Sequence, residues 1–262
     1  MPKQSNTKQT KPKKKVPIVL KVKDEEPNMK FNDIHPNLPQ MPSLCLIIGS
    51  VRSGKSNLLT NFFCSDDFYK DKFDTVKFIS TTLHTDNKGK ILSKYFDCQD
   101  HYDDSIIDNI KKSQGQYESK EDRPTYALVM DDVLTKDFSR NNKVSFFSTR
   151  FRHYIDFYVI AVQSFRAVSG MIRNNATDVI IHKQQNQKEL DKIAEEYGDL
   201  VGGYDTFMSL YREAHKEDYS FLYLKLSENP SQAYVRFERQ IYPSGTVLGQ
   251  AKPDEEELTD EE

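Results

Sequence analysis

Short apolar runs alternate with longer polar or amphipathic segments along most of this chain. The runs are rich in β-branched and aromatic residues, which is typical of strands buried on both faces of a parallel sheet. They cover residues 44–48, 74–80, 126–130, 157–162 and 178–182. This pattern predicts an α/β fold with a mostly parallel central sheet and helices on both faces.

The segments between the apolar runs predict helices. Residues 187–197 are the clearest case, because Leu190, Ile193, Ala194 and Tyr197 share one helical face. Near the C-terminus, residues 220–226 and 232–242 alternate apolar and polar positions around a turn, which predicts a β-hairpin. We also expect a helix or a loop at 164–175, and helices at 57–63, 91–95, 105–112, 141–153 and 204–215.

Charge is distributed unevenly, although the net charge is only −3. Residues 1–23 contain eight lysines and no acidic residue, whereas residues 251–262 contain seven acidic residues and one lysine. We therefore expect a disordered basic arm (1–25), an extended proline-containing lead-in (26–43), a P-loop ATPase domain (44–243) and a disordered acidic tail (244–262). The arm could grip nucleic-acid phosphates, act as a nuclear import signal or only be solvated; the tail is expected to be solvated.

The composition excludes several classes of protein. Charged residues make up 29% of the 262 residues, and no apolar run approaches the length of a transmembrane helix. The lysines near the start are followed by no apolar segment of the kind found in signal peptides. Cys45, Cys64 and Cys98 are widely spaced, which favours a reducing compartment and argues against a cysteine-based metal cluster.

A phosphate-binding motif follows the first apolar run. The pattern G-x-x-x-x-G-K-[ST], placed between a strand and a helix, is matched by Gly49, Ser50, Val51, Arg52, Ser53, Gly54, Lys55 and Ser56. The glycines let backbone N–H groups point at phosphate oxygens, and the start of the helix adds its positive dipole. Lys55 can reach the β- and γ-phosphates, and the Ser56 hydroxyl can bind Mg²⁺. The motif predicts a P-loop that binds a nucleotide such as ATP.

Two acidic residues end the third apolar run. Asp131 and Asp132 close the segment YALVMDD, which has the pattern of a Walker B strand. In that arrangement Asp131 would bind Mg²⁺, directly or through water, and Asp132 would polarise the attacking water. An additional strand between the two motifs in sequence favours the additional-strand branch of P-loop ATPases, since simple nucleotide kinases place the motifs on neighbouring strands.

A glutamine follows the fourth apolar run. Gln163 lies at the end of the strand expected between the P-loop strand and the Walker B strand. ATPases of this branch place a sensor of the γ-phosphate there, and an amide can hydrogen-bond both phosphate and water. We therefore include Gln163 among the candidate catalytic residues.

These motifs together resemble the poxvirus-type genome-packaging ATPases of large DNA viruses, a branch of the FtsK–HerA superfamily. The resemblance covers residues 40–243 and rests on the segments IIGSVRSGKSNLL, YALVMDDV, RHY and IAVQSFRAVSGMIRNNATDVIIHK. The superfamily more often has Asp-Glu where this chain has Asp131-Asp132, and here no arginine follows the last core strand, in KQQNQKE.

The resemblance implies a homo-oligomeric ring that uses ATP and Mg²⁺ to drive double-stranded DNA into a preformed capsid. It implies a capsid or portal-vertex protein as partner, and a location in the host cytoplasm at the virus factory, with the virion as a second location. It also implies that an arginine of the neighbouring subunit completes each ATP site. Arg173 is our first candidate for this role, and the other candidates are Arg150, Arg152 and Arg166. The alternative role for these arginines is to hold DNA phosphates.

Two other functions remain open at the level of sequence. One is a nucleotide or polynucleotide kinase, which would transfer phosphate to an acceptor without needing DNA for turnover. The other is an ATP-gated capsid assembly factor that never moves DNA. The segment from Gln163 to Asn175 favours the DNA translocase, because it carries the most specific part of the resemblance.

Overall fold

A nine-stranded sheet organises the part of the chain that the computed structural model describes, namely residues 29–83, 87–133 and 142–243. The strand order is β3-β2-β4-β5-β1-β6-β7-β8-β9. The first six strands in this order are parallel, and β7, β8 and β9 continue the sheet in antiparallel fashion. The strands are β1 (Ser43–Ile48), β2 (Thr75–Ser80), β3 (Asp97–Gln99), β4 (Tyr126–Asp131), β5 (Phe157–Val162), β6 (Asp178–His182), β7 (Phe221–Lys225), β8 (Gln232–Val235) and β9 (Arg239–Tyr242).

The position of β5 confirms the additional-strand topology. This strand pairs with β1 on one side and with β4 on the other, so Ile160 lies opposite both Leu46 and Met130. The P-loop strand and the Walker B strand are therefore separated by one strand, as predicted. All three strands end at the same edge of the sheet, which we call the carboxyl edge.

Helices cover both faces of the sheet, as predicted. Side chains of β1 alternate between two apolar clusters: Leu46 packs with residues of α3 to α7, whereas Ile47 packs with residues of α1 and α2. Because successive apolar side chains pack on opposite faces of the sheet, β1 is buried on both sides. The helices are α1 (Lys55–Cys64), α2 (Asn87–Tyr95), α3 (Asp104–Gln114), α4 (Asn142–Ser148), α5 (Gly170–Asn175), α6 (Gln187–Tyr197) and α7 (Tyr204–Ala214).

Several elements differ from the sequence prediction. The helix expected at 141–153 ends at Ser148, and a 3₁₀ turn follows at Phe151–His153. The sequence pattern does not predict the short strand β3, because it contains no apolar run. Asp97 is exposed, and Cys98 and Gln99 are partly buried. The C-terminal hairpin is confirmed, but its second arm is divided into β8 and β9 by a turn in which Arg236 adopts a left-handed φ of 52°.

The lead-in packs against the domain instead of leaving it. Phe31, Ile34 and Leu38 are buried in the same apolar cluster as α1. Asn37 donates a hydrogen bond from Nδ2 to the backbone oxygen of Phe237 at 2.8 Å. These contacts tie the described part of the lead-in to the C-terminal strands. The predicted basic arm and acidic tail lie outside the described residues.

Buried polar groups fix the other edge of the sheet, which we call the amino edge. Arg123, which precedes β4, is buried and pairs with Asp156 at 3.1 Å. Removing one partner of a buried ion pair typically lowers the free energy of unfolding by about 3–5 kcal/mol. Nearby, the buried carboxylate of Asp178 accepts hydrogen bonds from Ser43 Oγ at 2.7 Å and Tyr223 Oη at 2.5 Å. Burial raises the pKa of Asp178, and these hydrogen bonds act to lower it.

The structure also describes the three cysteines and the length and polarity of the helices, which the sequence analysis used to exclude some classes of protein. All three cysteines are free thiols, with Cys45 buried and Cys64 and Cys98 partly exposed. Within the described ranges, no helix combines the length and the apolar character needed to cross a membrane.

Candidate functional site at the carboxyl edge of the sheet

The P-loop connects β1 to α1 at the carboxyl edge and packs tightly against β6. A Cβ atom on Gly49 would lie 2.4 Å from Ser53 Oγ and 2.6 Å from His182 Cβ, so only glycine fits there without a shift. Gly54 has a φ of 111°, a conformation that L side chains rarely adopt. The sequence therefore places glycines at one loop position where neighbouring side chains leave no space and at another where the backbone conformation disfavours a side chain.

Hydrogen bonds from the segment after β6 hold the loop from outside. The N–H of Gln185 donates to Ser50 Oγ at 3.0 Å, and the N–H of Ser50 donates to the backbone oxygen of Lys183 at 3.4 Å. The N–H of Gly49 donates to the backbone oxygen of Val162, the last residue of β5, at 3.1 Å. The start of the P-loop is thus fixed by both strands that flank β1.

Lys55 is the first residue of α1, and its side chain folds back under the loop. Its Nζ donates to the backbone oxygens of Gly49 at 2.8 Å and Ser50 at 3.3 Å, and the residue is only 6% exposed. Burial lowers the pKa of Lys55, while the carboxylates of Asp132 and Asp131 act to raise it. The ammonium group is therefore positioned inside the loop that would surround a phosphate.

The N-terminus of α1 is open to an anion. Gly54 is the N-cap residue and supplies no side-chain hydrogen bond to the first turn. The first N–H groups of a helix have no partner within the helix, and the helix dipole makes this end positive. Together with Lys55, this end of α1 provides the phosphate-binding geometry that the motif predicts.

Asp131 lies beside the P-loop with its side chain buried. Ser80 Oγ donates to Asp131 Oδ2 at 3.1 Å, which anchors the carboxylate to β2. Ser56, Ser80, Thr82 and Asp131 line one small gap between the helix and the ends of β2 and β4. Carboxylate and hydroxyl oxygens are the ligands that Mg²⁺ prefers, so the residues at this gap fit the predicted metal.

Asp132 and Gln163 meet across the ends of β4 and β5. Gln163 Nε2 donates to Asp132 Oδ2 at 2.7 Å. Asp132 has a left-handed φ of 53°, and its N–H donates to the backbone oxygen of Ala161 at 2.9 Å. Non-glycine residues in this conformation cluster at functional sites, although aspartate tolerates it better than most. The structure thus brings together two predicted site residues that are distant in sequence.

The candidate arginines lie in different surroundings. Arg173 pairs with Glu196 at 3.2 Å and lies over the Phe165 ring at 5.0 Å from its centroid. Arg166 similarly pairs with Glu189 at 3.2 Å. Arg150 and Arg152 are exposed and form no ion pair with any residue in the described ranges.

The position of Arg173 sets a condition on its predicted role. Helix α5 ends shortly before β6 begins, so Arg173 lies toward the amino edge of the sheet, away from the P-loop of its own chain. A contact with a nucleotide would therefore require that a neighbouring subunit place its P-loop against this edge. The role of Arg173 stays a prediction.

His182 is a site residue that the sequence analysis missed. It ends β6 directly beneath the P-loop, is 1% exposed, and has a ring 5.2 Å from the ring of Phe221 between centroids. Burial, assisted by the nearby charge of Lys55, lowers its pKa to about 3, so the imidazole is neutral at physiological pH. In the sequence, a histidine at the end of an apolar strand gives no indication that the P-loop packs on it.

We expect Gly49→Ala to lower the free energy of unfolding by about 1–3 kcal/mol and to weaken ATP binding, because the added Cβ has no space beside Ser53 and His182. Urea unfolding and isothermal titration calorimetry measure the two effects. Gly170→Ala is the matched control, since its Cβ would meet only Arg173 Nη2 at an ordinary 3.7 Å. Unchanged stability and affinity in Gly49→Ala would contradict the tight packing of the loop.

Two viral proteins are similar to this chain in sequence. Uncharacterized protein 075L of Invertebrate iridescent virus 6 is 25% identical over 205 residues, which cover 76% of this chain and 76% of that protein. Uncharacterized protein 088R of Invertebrate iridescent virus 3 is 25% identical over 201 residues, which cover 74% of this chain and 72% of that protein. No family model matches the chain.

Solved structures share the fold. B204, described as the DNA-packaging ATPase from Sulfolobus Turreted Icosahedral Virus, has a TM-score of 0.52 at 16% identity over 74% of this chain and 97% of B204. The genome packaging NTPase B204 from Sulfolobus turreted icosahedral virus 2, in complex with AMPPCP, has a TM-score of 0.50 at 14% identity over 74% of this chain and 97% of that chain. This chain therefore has the P-loop ATPase fold of B204, as the sequence predicts.

Proposed function

We propose that this protein is an ATPase that translocates double-stranded DNA and packages a viral genome into a preformed capsid. The observation that carries the proposal is the hydrogen bond of 2.7 Å between Gln163 and Asp132, at the ends of neighbouring strands beside the P-loop. It brings a candidate γ-phosphate sensor and a candidate water-orienting carboxylate together in one hydrogen-bonded pair. The fold shared with the packaging ATPase B204 supports the packaging role, and the similarity to two iridescent virus proteins supports a viral setting.

ATP binding would use the P-loop and the start of α1. The backbone N–H groups of the loop and the Lys55 ammonium surround the phosphates and offset their negative charge. Ser56 and Asp131 would hold Mg²⁺, which when bound neutralises charge on the phosphate oxygens. Since Lys55 already contacts the oxygens of Gly49 and Ser50, the loop needs little rearrangement to receive the phosphates.

Hydrolysis would depend on Asp132 and Gln163. The Asp132 carboxylate accepts a proton from the attacking water and holds that water in line with the γ-phosphate. Gln163 orients the carboxylate through its amide N–H, and the amide oxygen remains available to a water or another donor. The left-handed backbone at Asp132 fixes the direction in which its side chain points.

The proposed assembly is a homo-oligomeric ring with ATP sites between subunits and double-stranded DNA in its centre. In such a head-to-tail interface one surface of each subunit carries the P-loop and another surface supplies the completing arginine. We place Arg173 in this role and a capsid or portal-vertex protein at the site of packaging. The expected location is the host cytoplasm at the virus factory, with the virion as a second location.

ATP turnover should rise several-fold when long double-stranded DNA is added, because a translocase couples hydrolysis to movement along its track. Phosphate release is measured with and without DNA for the wild type, for Lys55→Ala, and for Lys192→Ala as an exposed control lysine that pairs with Glu195. Lys55→Ala should lose turnover in both conditions, and Lys192→Ala should behave as the wild type. If the turnover rate is unchanged by DNA but requires a phosphate acceptor, the protein is a kinase. If only capsid protein stimulates turnover, the protein is an assembly factor.

Asp132→Asn should lower ATP turnover by about 100-fold or more while leaving ATP affinity nearly unchanged. The amide keeps the shape of the side chain but accepts no proton from water, whereas Lys55 and the loop still bind the phosphates. Single-turnover hydrolysis and equilibrium ATP binding separate the two effects. Asp199→Asn, an exposed carboxylate elsewhere, serves as the control. Wild-type turnover in Asp132→Asn would show that another group positions the water.

Arg173→Ala should lower turnover sharply with ATP and DNA binding near normal, because only the charge formed in the transition state loses its partner. Mixing this variant with Lys55→Ala subunits should restore some turnover, since mixed rings place an intact arginine beside an intact P-loop. Glu196→Gln is the matched control, because it breaks the ion pair within the chain but keeps Arg173. Equal losses in both variants, with no recovery on mixing, would show that Arg173 only stabilises the fold.

A further inference from the structure

A large cavity opens on the side of the P-loop opposite to the Walker B acids. Its volume is about 1150 Å³, and its lining includes the loop residues Arg52 to Ser56. Lys55 and Ser56 border this cavity, and Ser56 also borders the small gap that contains Asp131. The phosphate site thus lies between the acids on one side and the cavity on the other.

This arrangement fixes the direction of a bound nucleoside triphosphate. The γ-phosphate must lie toward Asp131 and Asp132, because the water-orienting and metal-binding groups are there. The opposite end of the triphosphate, which carries the ribose and the base, then points toward the cavity. A ligand held by the P-loop therefore enters the cavity with its nucleoside.

The floor of the cavity is aromatic. Phe237 lies in the turn between β8 and β9. The centroid of its ring is 5.1 Å from that of Phe221 and 5.9 Å from that of Phe68, and all three residues line the cavity. Phe237 remains only partly buried although several rings pack against it. The bond from Asn37 to the backbone oxygen of Phe237 holds this turn in place. The floor can therefore offer a fixed ring to a planar ligand.

Away from the P-loop residues Arg52 and Lys55, the polar groups around the cavity suit an uncharged ligand better than a second phosphate. The carboxylates of Asp67 and Glu238 lie on the lining, and Arg236 is paired with Glu238 at 2.9 Å and with Glu217 at 3.3 Å. Phosphate would be repelled by the carboxylates, whereas a base can hydrogen-bond to them.

One amide group adds unused hydrogen-bonding capacity to the lining. Asn57 is exposed on α1, and its side-chain amide makes no hydrogen bond to other described residues. This amide lies near the phosphate site, where the sugar and the base of a nucleotide would pass.

We propose that this cavity binds the nucleobase and ribose of ATP, with the base stacked on Phe237. The inference rests on the proposed function, since it takes the P-loop as the site of the triphosphate. It adds that residues of the lead-in and of the C-terminal strands, outside every motif found in the sequence, contribute to nucleotide affinity. The β8–β9 turn is thereby assigned a role in substrate binding.

The test compares two ligands, ATP and inorganic tripolyphosphate, in the full chain with Mg²⁺ present. Phe237→Leu keeps an apolar side chain but removes the stacking face, so the Kd for ATP should rise by about tenfold while the Kd for tripolyphosphate stays unchanged. Tyr95→Leu, which changes an aromatic residue that is 72% exposed and lies outside the cavity, should alter neither Kd. Circular dichroism and thermal unfolding verify that the variants are folded.

Three results would overturn the base site. In the first, the wild type binds ATP and tripolyphosphate with equal affinity. In the second, the Kd for ATP is unchanged in folded Phe237→Leu. In the third, that variant binds both ligands more weakly by the same factor. The proposed ATPase function fails separately, because Lys55→Ala should lose both ligands whether or not the base lies in the cavity. If Lys55→Ala binds ATP as the wild type does, the P-loop assignment itself is wrong.

Discussion

The parallel alignment of β1, β5 and β4 is the constraint on which the candidate site depends. Parallel strands bring their carboxyl ends to one edge of a sheet, where ligands bind in open α/β folds. Here the P-loop, Gln163 and Asp132 leave the sheet at that edge, and a single hydrogen bond joins the last two. The buried polar groups of the amino edge, Arg123 with Asp156 and Asp178 with Tyr223, hold the opposite end of the same strands. The candidate catalytic groups and the structural polar groups thus lie at opposite ends of the strands.

Much of this architecture could be predicted from sequence because the central strands are buried on both faces. Such strands must be apolar throughout, so β5 and β6 were predicted with the bounds that the structure shows. The P-loop and the two acidic residues could also be predicted from sequence, since each motif is defined by residue spacing within one short segment. Gln163 could be placed because it directly follows a strand whose position in the sheet was expected.

The remaining parts depend on contacts between distant segments, which a local pattern does not contain. Arg123 lies in a polar stretch of the sequence between predicted elements, and its burial follows from its ion pair with Asp156. The short β3 has no hydrophobic period of its own and forms because β2 offers a free edge. The cavity beside the P-loop is lined by the lead-in, α1 and the turn between β8 and β9, so no single segment of the sequence predicts it. His182 likewise becomes informative only once β6 lies beneath Gly49.

The contact between Gly49 and His182 also limits how related chains can diverge. A new side chain at position 49 would meet two atoms, Ser53 Oγ and the Cβ of residue 182, so replacing the imidazole with a smaller side chain frees no space. The Ser53 hydroxyl can rotate away, but the Cβ of residue 182 moves only if β6 is displaced relative to β1. The spacing between the backbones of these two strands is therefore coupled to the absence of a side chain at the first position of the loop. We expect alignments of related chains to show an invariant glycine at position 49.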